Sequence, residues 1–76
     1  MRKVLVRVPG HWLFVGTLAD GPPDTVHLEE ASNIRTYSGG MSAVVASRET
    51  CKLDKVGTVT LNKGPGVFII DLPDTW

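Results

Sequence analysis

Glycine and proline interrupt this chain so regularly that no long helix fits. Pro9 and Gly10, the stretch Asp20 to Asp24, Gly39 and Gly40, the stretch Lys63 to Gly66, and Pro73 each mark a break. Between the breaks lie short runs rich in Val, Ile, Thr and aromatic residues, which is the pattern of strands. "KVLVRV" alternates, with Val4, Val6 and Val8 on one face and Lys3, Leu5 and Arg7 on the other. Pro9 and Gly10 suit the centre of a type II turn, because proline presets φ and glycine accepts a positive φ. Trp12 to Leu18 is expected as a second strand, apolar on both faces until Thr17. Thr25 to Tyr37 is expected as a third, with Val26 and Leu28 on one side and His27 and Glu29 on the other. Its alternation slips near Glu30 and Ala31, which predicts a bulge or bend there.

The period changes after Gly39 and Gly40. Met41, Val44, Val45 and Arg48 fall at i, i+3, i+4 and i+7, one face of a short helix with the apolar members inward. Ser38 or Ser42 is the expected cap. "CKLDK" is expected as a connector, Val56 to Asn62 as a fourth strand, "KGPG" as a hairpin loop, and "VFIIDL" as a fifth strand ended by Pro73. The expected fold is mainly β (α+β): a bent five-stranded small barrel in the order β-β-β-α-β-β, in a single domain over residues 1–76.

A chain of 76 residues buries a marginal core. Its single cysteine, Cys51, leaves no internal disulfide, so self-association is the expected additional support. The apolar residues on both faces of "WLFV" and "VFII", and Leu5 behind them, exceed what one face of a small barrel covers. A homo-oligomer joined through these strands is the expectation. Eight basic and eight acidic residues give zero net charge, which weighs against long nucleic acid and leaves a small anion open. No apolar run approaches the ~20 residues of a membrane helix. The start "MRKVLVRV" is broken by Arg7 and does not read as a signal peptide, so the cytoplasm is the expected compartment.

No catalytic, metal or cofactor motif is present. Cys51 has no histidine near it in sequence, and His11 and His27 fall on different expected strands with no ligand cluster around them. Asp20 and Asp24 are accounted for by turn chemistry. Gly39 and Gly40 suit either a plain turn or a close approach of backbone to a ligand. Arg35, Tyr37 and Arg48 around that pivot read either as solvated arginines beside a half-buried tyrosine or as a recognition cluster. In the second case the arginine forks would meet phosphate and the ring would stack on a base or ribose. The candidate ligand-binding set is Arg35, Tyr37, Ser38, Gly39, Gly40, Ser42 and Arg48.

"FVGTLADGPPDTVHLEEASNI" resembles the first Sm motif, and "GVFIIDLPD" resembles the close of the second. That resemblance implies a bent small barrel of a ring-forming type, here with a helix between strands three and four. Over most of its length the chain is also similar to small tailed-phage proteins of unassigned role with the layout "VR…G…VGTL…V.L..A..I…G…S…A" and a closing strand pair. Phage proteins of this size and build include sponges of nucleotide immune signals. The resemblance therefore implies a non-catalytic anti-defence protein. It would sequester a cyclic ADP-ribose isomer or related signal in the cytoplasm of an infected bacterium. The competing expectations are an Sm-like RNA-binding ring and a structural or host-protein interaction module.

Overall fold

The computed structural model describes residues 2–10 and 12–76. His11, weighed above, lies outside the described residues. Five antiparallel strands form one sheet: β1 (Lys3–Val8), β2 (Trp12–Ala19), β3 (Thr25–Tyr37), β4 (Cys51–Asn62) and β5 (Phe68–Asp71), in the spatial order β4-β3-β2-β1-β5. The helix α1 (Met41–Ala46) and a single 3-10 turn (Arg48–Thr50) connect β3 to β4. The β-β-β-α-β-β order is as expected. The sheet is open: β4 and β5 are its two edges and are not hydrogen-bonded neighbours. The Lys63–Gly66 stretch is therefore a crossing loop between opposite edges, where a hairpin was expected.

The sheet bends where the alternation of β3 slips. Glu30 takes φ +50, the β3–β4 register shifts between Leu28 and Ala31, and Gly57 opposite Ala31 has φ +87. On β2 the register with β3 shifts between Val15 and Thr17, which places Gly16 against the bulge. A Cβ on Gly16 would sit 3.1 Å from both the Ala31 Cα and the Glu29 carbonyl oxygen. Glycine suits this close approach of two backbones, since a side chain would require the bulge to give by a few tenths of an ångström.

This bend gives the sheet two cores. On the concave side, Val4 and Val6 of β1 pack with Val26, Leu28 and Ala31, and Val8, Phe14, Leu18, Val59, Leu61 and Val67 close around them. On the convex side, Leu5, Leu13, Val15 and Ile34 pack under Val44 of α1 and under Leu72 and Trp76 of the C-terminal tail. Leu5 is thus fully buried by the protein's own helix and tail, which corrects its expected place on an interface. Of the other residues expected to be surplus, Phe14, Val67 and Ile70 pack partly against the two cores, whereas Trp12 retains 54%, Phe68 58% and Ile69 39% of its accessible surface.

The tail is held by specific bonds. The Leu72 N–H donates to the Lys3 carbonyl at 3.0 Å, and the Trp76 N–H closes a turn onto Pro73 at 2.9 Å. The Trp76 indole N–H donates to the Val44 carbonyl at 2.6 Å in a buried position. A helix as short as α1 leaves most of its end groups without internal partners, and the indole satisfies one of them. α1 is shorter than its apolar period suggested. Ser47 leaves helical geometry, and Arg48 belongs to the 3-10 turn instead of the helix face. β4 is longer than expected, since "CKLDK" pairs with β3 from Ser32 to Tyr37 instead of forming a loop.

Candidate functional site

The residues singled out around the glycine pivot separate into three groups. Tyr37 ends β3, where it pairs with Cys51 of β4. A bulge between Ile34 and Thr36 turns its ring toward the convex face. There it borders a cleft of about 250 Å³ with Gly39, Gly40, Met41, Leu13 and Arg7. Gly39 adopts φ +78, and a Cβ there would lie 3.0 Å from the Ala43 Cβ, so the pivot requires glycine. Gly40 is the helix N-cap; no side chain caps α1. The expected cap by Ser38 or Ser42 is therefore replaced by a backbone turn, in which the Gly40 carbonyl accepts from Ala43 and Val44. Ser38 and Ser42 are exposed and outside the lining of this cleft. With six residues, α1 is too short to supply much N-terminal field, so positive charge in this cleft comes from Arg7.

Arg35 sits apart. It falls at the bulge, exposed, with its Nε 3.5 Å from the Asp54 carboxylate. Arg48 sits apart in another direction. Its guanidinium lies over the Trp76 ring at 5.8 Å and donates to the Trp76 main-chain oxygen at 3.4 Å. It borders a second cleft beyond α1, with Lys3 and Lys55. Lys3 and Arg7 are four residues apart on β1, roughly 13 Å along an extended strand. The two clefts share no lining residue, and Arg48 is not beside Tyr37.

Sequence reasoning missed Arg7. Its signal was the charge that interrupts an otherwise apolar strand. Arg7 pairs with Leu13 across the Pro9–Gly10 turn, and that register puts both residues in the Tyr37 cleft.

Elsewhere the polar groups are ordinary. Among the described residues no three His, Cys, Asp or Glu side chains come close enough to hold a metal ion. Cys51 is half-buried, with the Thr50 hydroxyl 3.6 Å from its sulfur. His27 Nδ1 meets the Thr60 hydroxyl at 2.8 Å on the sheet surface. The Arg2 guanidinium donates to Asp71 at 2.6 Å; this hydrogen bond holds the carboxyl below its ordinary value and raises the arginine in return. Both groups are exposed, so the pair adds little stability. An opening of about 550 Å³ lies at the Pro22–Pro23 turn. There Arg2 and Lys63 are balanced by Asp20 and Asp24, so it offers no surplus of one sign. Among the described residues no helix is long and apolar enough to cross a membrane. No family model, curated protein or solved structure matches this chain.

Proposed function

We propose that this protein is a non-catalytic binding module that captures a small nucleotide-derived anion as a homo-oligomer. Its ligand class would be the cyclic ADP-ribose isomers and related signals of bacterial immunity, and it would act in the cytoplasm of a phage-infected cell. The observation that carries this reading is the Tyr37 cleft. An exposed aromatic ring, the Arg7 guanidinium and an uncovered backbone at Gly39 and Gly40 share one concave surface. A ring face suits a base, a guanidinium suits phosphate, and glycine lets a ligand approach the main chain.

The size of the cleft argues for more than one chain. Enclosing sites for small molecules run to roughly 300–1,000 Å³, and about 250 Å³ covers only part of a nucleotide. A second copy packed on Phe68 or Trp12 would supply the other wall, and those exposed aromatics support such a contact. In this reading the curled sheet acts as a small barrel, a view supported by Val59 and Leu61 of β4 and Val67 before β5 packing against the same inner core.

Calorimetry against cyclic ADP-ribose isomers, histidine-linked ADP-ribose and cyclic dinucleotides tests the reading. A sequestering protein should bind one of them with nanomolar Kd, about −12 kcal/mol. Tyr37→Ala and Arg7→Ala should each weaken binding by about ten- to a hundredfold, and heat should release the ligand intact. Absence of binding to every member, or a turned-over product, would overturn it.

A further inference from the structure

We infer that the second cleft, between the sheet bend and the Trp76 tail, is a distinct site for a phosphoryl group of a small anion. This site does not depend on the Tyr37 cleft binding anything. Its walls come from three parts of the chain. Lys3 of β1 stands opposite Thr17 of β2, and Lys55 of β4 stands opposite Ser32 of β3. Each lysine is thus paired in register with a hydroxyl on the convex face. The third wall is Arg48, projecting from the 3-10 turn and steadied by the Trp76 ring and main-chain oxygen. All five side chains border one cleft of about 200 Å³.

The charge distribution is what makes this a site. The chain as a whole is neutral. Its ion pairs among the described residues are Arg2 with Asp71 and Arg35 with Asp54. Lys3 and Lys55 have no ion-pair partner among the described residues, Arg48 meets only the main-chain oxygen of Trp76, and Glu30 is the one acidic side chain bordering their cleft. Three cationic side chains against one acidic side chain are therefore gathered in a recess of an uncharged molecule. Lining up like charges is unfavourable unless an anion relieves it.

The bend that makes the recess has its own cost. Glu30 holds a positive φ that non-glycine residues seldom adopt, and such geometry gathers at functional sites. A phosphoryl group matches the donors: a guanidinium fork for two oxygens, ammonium groups for the charge, and hydroxyls for the rest. The recess is too small for a length of nucleic acid and suits a terminal phosphate or a diphosphate. An acidic peptide would place one flat carboxylate at a time among donors set on three walls.

The test is a titration of the ¹⁵N-labelled full chain with inorganic pyrophosphate at low ionic strength, with amide shifts as the readout. Saturable shifts should centre on Ser32, Lys55, Thr17 and Arg48, and should weaken as salt is added. Lys55→Gln and Lys3→Gln should each raise Kd by about three- to tenfold, with unchanged thermal midpoints, because the fold contacts of these exposed residues are made by their backbone and not by their ammonium groups. Arg48→Lys keeps the charge but loses the fork, and should weaken pyrophosphate more than it weakens sulfate. Equal affinity in both lysine variants would overturn the assignment, as would shifts centred on Arg7 and Tyr37 or on Lys63. Tighter binding of a poly-glutamate peptide, or of an oligonucleotide lacking a terminal phosphate, would also overturn it. Failure of nucleotide signals at the Tyr37 cleft would leave these outcomes unchanged.

Discussion

Trp76 should be the residue on which the convex half of the fold depends. It is 5% exposed and packs in the cluster with Leu5, Leu13, Val15, Ile34 and Val44, and its indole N–H donates to the Val44 carbonyl at 2.6 Å. Two substitutions separate its contributions. Trp76→Phe keeps most of the ring and removes the donor. The Val44 carbonyl is then left in a buried place without a partner, at a cost of about 1–3 kcal/mol. Trp76→Ala also opens a cavity, and large aromatic truncations in cores cost about 3–5 kcal/mol. A domain of 76 residues has a total stability of about 4–11 kcal/mol. The phenylalanine variant should therefore fold with a lowered midpoint, and the alanine variant should lie near or beyond the edge of folding. Urea unfolding followed by far-UV circular dichroism measures both. Hydrogen exchange should show the amides around Val44 and Ser47 losing protection before those of β2 and β3, because the tail pins α1. A phenylalanine variant within about 0.5 kcal/mol of the parent would refute the role given to the indole bond. An alanine variant that kept helix protection would refute the tail as the clamp.

Three further outcomes are expected. Phe68→Ser and Trp12→Ser should each shift light scattering toward the mass of a single chain while the circular dichroism spectrum is kept; a monomer mass for the parent at micromolar concentration would sink the assembly. Gly16→Ala should destabilise by about 1–3 kcal/mol in chemical denaturation, because the new methyl meets backbone atoms of Glu29 and Ala31 at 3.1 Å and the paired strands must shift to admit it; a neutral substitution would mean that the bulge is soft. The Asp71 carboxyl is held below its ordinary value of 3.8 by Arg2, so whatever stability the pair adds is present above that value and is lost as pH falls below it. Asp71→Asn should accordingly leave the thermal midpoint almost unchanged at pH 7 and flatten only the acid limb; a large loss at neutral pH would contradict a solvent-screened pair.

The strands were legible because alternation with a period of two is a local signal. The bend was legible for a related reason: Glu30 and Ala31 break that alternation in the sequence itself, and a positive φ at Glu30 is how the chain accommodates the break. What local signals do not carry is which elements close over which face. The surplus apolar residues looked like one interface. Leu5 was instead covered within the chain by Val44, Leu72 and Trp76, contacts spanning almost the whole sequence. The open seam between β4 and β5 is likewise a property of strand order, which alternation leaves undetermined.

The split of the candidate site follows from the same limit. Arg35 and Tyr37 are two residues apart, and in an unbroken strand they would share a face. The bulge between Ile34 and Thr36 adds a residue to β3 against β4, which sends Tyr37 to the convex side and leaves Arg35 beside Asp54. Arg48 fits the helical period by spacing, but Ser47 ends the helix one residue before it, and Trp76 then takes the guanidinium. In each case a single residue of slip exchanges one set of neighbours for another. Arg7 enters the Tyr37 cleft for the opposite reason. The short turn at Pro9 and Gly10 fixes the β1–β2 register with no slip, so Arg7 must stand opposite Leu13. A cation on the convex face of β1 is thus placed more firmly than one on β3. If the Tyr37 cleft binds an anion, substitution of Arg7 should cost more affinity than substitution of Arg35.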